Sequence, residues 1–157
     1  MNGDRVLRRK GFGFVTSVLV DPRREWGYVA GLNTKHRLLI GYCFRRGDFP
    51  WVRLWEQNRA ITAMPWRKRT ETRGLEFATT PILSTRRDAF MKGNRHDVPT
   101  VTCVPARGRK TIEYFCFLLQ LPTGVRQVGD IRVGKEKILI HGPEGEVVAQ
   151  LSVPAHL

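Results

Sequence analysis

The chain has 157 residues, 41% of them hydrophobic, with 27 Lys and Arg against 14 Asp and Glu and a net charge of +13. That length suits one ordinary domain and can bury a core, and the apolar share excludes wholesale disorder. No apolar run approaches the ~20 residues of a membrane-spanning helix, so no membrane partner is expected.

Met1 to Lys10 is polar and basic and lacks the apolar stretch of a secretory leader. The three cysteines, Cys43, Cys103 and Cys116, are odd in number and lie among apolar residues. Together these features predict a cytoplasmic protein with buried, reduced thiols. A disulfide stays open, because strand pairing can bring any two of them together.

Alternation and β-branched runs predict ten short strands, in order 12–20, 26–32, 37–44, 50–57, 72–79, 100–104, 110–119, 125–133, 137–141 and 147–153. Asp21-Pro22, Asn33-Thr34-Lys35, Gly47-Asp48 and the loop around Pro65 supply the turns between them. Residues 85–95 read as one short helix or an irregular excursion. Many short strands with Gly, Pro and Asp punctuation predict an all-β, antiparallel β-sandwich rather than βαβ units. No repeat or linker interrupts residues 1–157, which are expected to form a single β-sandwich domain. A half-sandwich would expose sheet edges or an apolar face, so a homodimer or higher homo-oligomer is also expected.

The charge is uneven. Residues 1–73 hold 16 basic and 6 acidic residues, a surplus of 10. Such a field attracts nucleic acid or acidic ligands and says nothing about fold. Lys10-Gly11-Phe12-Gly13-Phe14-Val15-Thr16 also matches the first seven positions of an RNA-recognition signature. Its context differs from that module, because only nine residues precede it and Ser17 stands where the final aromatic belongs. A strand whose glycines and phenylalanines pack or turn is the preferred reading. Nucleic acid is therefore a disfavoured partner.

Residues 48–81 are the most distinctive stretch. Trp51, Trp55 and Trp66 fall within it beside Glu56, Asn58, Arg59, Arg73 and Glu76. Indole faces stack on the C–H patches of a pyranose, while carboxylate, amide and guanidinium groups bond its hydroxyls. On an extended strand Trp51, Arg53 and Trp55 share one face, and Val52, Leu54 and Glu56 share the other. The substrate-binding candidates are thus Trp51, Trp55, Glu56, Asn58, Arg59, Trp66 and Arg73. The alternative places the tryptophans in the core with the charges around them. No paired Cys or His stands at metal spacing, and no phosphate-cradling Gly loop or nucleophile elbow occurs. Neither a metal nor a cofactor is expected.

Phe49-Pro50-Trp51, Trp55-Glu56-Gln57-Asn58-Arg59-Ala60, Pro65-Trp66 and Thr72-Arg73-Gly74-Leu75-Glu76-Phe77 resemble motifs of aldose 1-epimerase-like proteins of the galactose mutarotase fold. The likeness is to a branch with motifs of the form FPW-x-x-x-WEENRA, PPW and TRGLEFG-x-P. It continues through EWGYVAGLN, LLIGY and VPARGRKTIEY and covers roughly residues 15–120. It implies the C-terminal half of a mutarotase-type supersandwich that binds a sugar. The basic charge makes an anionic sugar or sugar phosphate more attractive than a neutral one, since Arg grips phosphate or carboxylate bidentately. Glu76 occupies what looks like the position of the family's catalytic base. The chain departs from the family in two ways: the histidine pair of the family's first half has no counterpart, and Glu-Glu after Trp reads Glu56-Gln57. Mutarotation needs both a base and an acid. The resemblance therefore implies a carbohydrate-binding domain first. An epimerase-type isomerase is the alternative, with Glu76 as base and with His96 or His141 supplied across an oligomer. Arg73 lies three residues before Glu76, so only a bulge at Gly74 would bring the two to one side.

Overall fold

The computed structural model describes residues 10–81 and 84–153. The fold is all-β and antiparallel, with strands taking 46% of these residues and helix 5%. That agrees with a strand-built chain carrying one short helix. The strands are β1 (Phe12–Leu19), β2 (Trp26–Asn33), β3 (Leu38–Arg45), β4 (Trp51–Asn58), β5 (Glu71–Ala78), β6 (Asn94–Arg95), β7 (Val98–Pro99), β8 (Tyr114–Gln120), β9 (Asp130–Val133), β10 (Lys137–His141) and β11 (Val147–Ser152), with helix α1 (Arg86–Lys92) between β5 and β6. They fall into two compact units. One takes residues 10–20, 49–81 and 84–109, and the other takes 21–48 and 110–153.

In the first unit β4 runs between β1 and β5, antiparallel to both. All eight residues of β4 pair on each side without a register shift. The chain then passes through α1. The Thr85 hydroxyl accepts the Asp88 N–H at 3.1 Å and donates to the Asp88 carboxylate at 2.8 Å, capping the helix N-terminus. Gly93, at φ 56°, ends the helix.

The second unit has two three-stranded sheets, β2-β3-β8 and β9-β10-β11, with β10 central in the latter. Alternation turns Leu39 and Cys43 of β3, Phe117 of β8, Ile131 of β9, and Ile138 and Ile140 of β10 into one buried cluster with Leu121. Gly41 stands opposite Phe117 in the ladder, and the Phe117 ring fills the space that a Cβ would need. Arg24 reaches Asp130 at 2.6 Å, and Arg132 reaches its other oxygen at 3.0 Å. Burial would raise the Asp130 carboxyl. Hydrogen bonds from Arg132 and Arg24 outweigh it and hold the group below the ordinary carboxylate range. On the outward side of β3 and β8, Leu38, Ile40, Tyr114 and Leu118 are exposed in a row.

Three strand expectations need correction. Residues 100–104 form no strand, because the Thr100 N–H and hydroxyl both bond the Gly93 carbonyl, at 3.0 and 2.8 Å. Residues 101–113 then run irregularly until β8, which begins at Tyr114 rather than near 110. The strand expected from 125 starts only at Asp130, after a turn in which Gly124 takes φ 95°.

The expectation of three buried thiols also changes. All three cysteines are free, yet only Cys43 is buried. Cys103 lies in the irregular stretch. Cys116 alternates outward between Phe115 and Phe117, which turn toward the core. Burial pushes the Cys43 thiol up to about 12, so it stays protonated in the folded chain. A thiol reagent at pH 8 is therefore expected to label Cys103 and Cys116 quickly and Cys43 only on unfolding. Cys43→Ser should leave the fast amplitude unchanged, and three fast thiols in the folded protein would contradict this packing.

Candidate functional site

Strand alternation sorts the candidate residues onto two faces of the β1-β4-β5 sheet. Trp51, Arg53, Trp55 and Gln57 of β4 share one face. In register with them stand Ser17 and Val15 of β1, opposite Arg53 and Trp55, and Glu76 and Gly74 of β5, opposite the same two residues. A Cβ on Gly74 would lie 3.3 Å from a Glu76 carboxylate oxygen and 3.4 Å from the Trp55 ring, so the glycine opens the space both occupy. Trp66, from the loop joining β4 to β5, meets Trp55 edge to face at 5.3 Å between centroids. Trp51, Trp55, Trp66 and Glu76 are thus brought together with Arg53.

Glu56, Asn58 and Arg73 lie on the opposite face. No bulge forms at Gly74, so Arg73 stays directly across from Glu56 and away from Glu76. The Arg73 Nε donates to Glu56 Oε2 at 2.9 Å, and Nη2 donates to the same oxygen. Phe12 and Phe14 are on this face too, 5.9 Å apart between ring centroids. Arg59 sits just past β4 at φ 52°, exposed, and its Nε pairs with Glu71 at 2.8 Å. Gln57 is buried. Its Oε1 accepts the backbone N–H groups of Ala60 and Ile61 at 2.9 and 3.3 Å, which fastens the loop after β4. An amide oxygen serves that purpose without a buried charge.

A cavity of about 530 Å³ opens on the Trp51 side, lined by Val15, Ser17, Trp51, Arg53, Arg95 and His96 among others. Arg53 is 9% exposed and Trp51 4%. Arg53 Nη2 lies 3.4 Å from Glu76 Oε2, while Arg53 Nε and Trp51 Nε1 have no hydrogen-bond partner among the described residues. Arg95 and His96 arrive on the tight hairpin of β6 and β7. His96 and Asp97 form its two-residue turn, with φ 51° and 58°. Positive φ at both turn positions is type I′ geometry, and His and Asp are among the side chains that tolerate it. The turn holds the His96 ring 6.3 Å from the Trp51 ring. Sequence reasoning reached Arg53 only as a neighbour of Trp51 and Trp55, and it sought His96 across an oligomer. Both belong to the same unit as Glu76. Among the described residues no cluster of three or more His, Cys, Asp or Glu could hold a metal ion.

Comparison of the chain with family models, curated proteins and solved structures returned no match. The likeness to aldose 1-epimerase-like proteins rests on the motifs quoted above.

The two faces should differ in what their ion pairs do for stability. Glu56 is 1% exposed, so losing Arg73 strips a partner from a buried carboxylate. Arg73→Met should cost about 3 kcal/mol in urea unfolding. Arg59→Met, which breaks only the exposed pair with Glu71, should cost below about 1 kcal/mol. Equal costs would contradict this division.

Proposed function

We propose that the first unit is a carbohydrate-binding module whose ligand lies along the Trp51, Arg53, Trp55 and Glu76 face. The observation that supports this reading most strongly is the gathering of three of the chain's four tryptophans with an arginine and a carboxylate on one side of one sheet. Indoles offer flat apolar area for a pyranose ring, and Glu76 and Arg53 offer an acceptor and donors for its hydroxyls. Glu76 already stands beside Arg53, an arrangement suited to holding hydroxyls. Binding is therefore preferred to proton transfer. The motif likeness to sugar-handling proteins points the same way.

Self-association is part of the proposal. The exposed row Leu38, Ile40, Tyr114 and Leu118 of the second unit is the apolar surface that a second copy would cover.

Intrinsic fluorescence is expected to change saturably on titration with glucose or galactose, because three of the four indoles line the binding face. Trp66→Ala should weaken that binding by about 2- to 10-fold, the range for one aromatic contact. Trp26→Phe, a change in the second unit, should leave it unaltered. Loss of the response only with Trp26→Phe, or no saturable response to either hexose, would reject the module.

A further inference from the structure

Charge in this chain sorts by unit. The described residues of the first unit include 13 basic and 5 acidic side chains, against 11 and 8 in the second. The surplus therefore sits on the unit that holds the β1-β4-β5 sheet. The acids of that unit are committed elsewhere. Glu56, Glu71 and Glu76 pair with Arg73, Arg59 and Arg53, and the Asp88 carboxylate accepts the Thr85 hydroxyl. Asp97 belongs to the β6–β7 turn, whose His96 neighbours Trp51 at the far end of β4.

The strand ladder brings four of the remaining cations to one end of the sheet. Phe12 of β1, Asn58 of β4 and Glu71 of β5 stand in register there. The Gly11 N–H reaches the Asn58 carbonyl at 2.8 Å, which sets Lys10 at the same end. Beyond Asn58 the β4–β5 connection continues as a hairpin. The Arg59 N–H reaches the Thr70 carbonyl and the Lys68 N–H reaches the Ile61 carbonyl, both at 2.8 Å. The Arg67 N–H bonds the Ala63 carbonyl at 3.0 Å, and Gln57 fastens the opposite limb through Ala60 and Ile61. Lys10, Arg67, Lys68 and Arg69 are all exposed, and none has an ion-pair partner among the described residues. Residue order hides this group, because Lys10 and Arg67 are far apart in the chain. Lys10 also opens the stretch that resembles an RNA-recognition signature, and the fold gives it basic neighbours.

We infer that this end of the first unit is a contact surface for the phosphate backbone of single-stranded nucleic acid. The inference goes beyond the sugar reading and does not rest on it, since none of the four cations is among the proposed sugar contacts. Like charges gathered at one end repel one another, and a polyanion relieves that repulsion while releasing its own counterions. A small anion would meet one or two of these cations, whereas successive phosphates of one strand can meet all four. A single strand suits the surface better than a duplex. The half-buried Phe12 ring, two residues after Lys10, can stack only on a base that is not already stacked within a helix. A lipid surface suits it less well. Met64 is the large apolar side chain exposed in the 59–70 loop, which is little area to bury in a bilayer interface.

Fluorescence anisotropy of a labelled oligouridine titrated with the full chain, at several salt concentrations, tests the inference. Contacts from four cations predict that log K falls against log salt with a slope of about −3. Lys10→Gln, Lys68→Asn and Arg69→Gln, combined, should flatten that slope by about 2 and weaken binding at least about tenfold at low salt. The three side chains are exposed, and Asn tolerates the positive φ of Lys68, so the variant should fold with an unchanged urea midpoint. Arg126→Gln, Lys135→Gln and Lys137→Gln, combined, remove the same charge from exposed positions of the second unit. That variant should bind within about twofold of the unaltered chain. Equal losses from the two triple variants would overturn the surface and leave diffuse attraction alone. Tighter binding of a duplex of the same length would overturn the single-strand assignment. Binding to phosphatidylserine vesicles stronger than to oligouridine, and lost in the first variant, would give these cations to a lipid surface and overturn the inference. The first variant should keep the full fluorescence response to glucose, so the sugar reading stands or falls on its own titration.

Discussion

The register of β4 between β1 and β5 is the constraint on which the rest of the first unit depends. A strand has a side-chain period of two, so a slip of one residue would carry Trp51, Arg53 and Trp55 to the other face. Two cross-strand ion pairs oppose such a slip, and they have opposite polarity. Arg53 of β4 faces Glu76 of β5 on one side of the sheet, and Glu56 of β4 faces Arg73 of β5 on the other. Shifting β5 by one residue would set Arg53 against Phe77 or Leu75 and Glu56 against Gly74 or Thr72. Shifting it by two would set Glu56 against Leu75 or Glu71 and Arg53 against Ala78 or Gly74. None of these registers keeps either pair, and one of them opposes two carboxylates. Cross-strand charge pairs contribute modestly to stability, but here they select a single pairing.

The two faces divide the work. On one, Glu56 is nearly fully buried and bound by Arg73, which makes that pair part of the scaffold. On the other, Arg53 is almost as deeply buried yet incompletely partnered, beside an indole N–H in the same condition. The hairpin after α1 brings the exposed groups of Arg95 and His96 beside that face.

Much of this was legible from residue order. Alternation along 51–57 assigned Trp51, Arg53 and Trp55 to one face, and the three-residue spacing of Arg73 and Glu76 placed them on opposite sides. Most strand positions agree with the alternating pattern to within a residue or two, as in β1, β4 and β10. The hairpin of β6 and β7 was not legible. Strands of two residues have no periodicity to detect, and His96-Asp97 lacks the glycine that usually marks a type I′ turn. Nor could order alone separate Arg59 from Arg53, since both stand near tryptophans. Arg59 is drawn off by Glu71 only because Asn58 and Glu71 close the β4–β5 ladder. The cysteines misled because apolar neighbours in sequence do not bury a residue that alternates outward, as Cys116 does.

The face bearing Trp51, Arg53 and Trp55 is proposed to receive a sugar. The indole N–H signals of the four tryptophans, observed by ¹⁵N–¹H correlation NMR and assigned by single Trp→Phe variants, report on it directly. On addition of glucose or galactose the proposal predicts saturable shifts of the Trp55 and Trp66 signals and none for Trp26. Trp55 and Trp66 signals that stay in place while ligand binds, or a shift confined to Trp26, would contradict it.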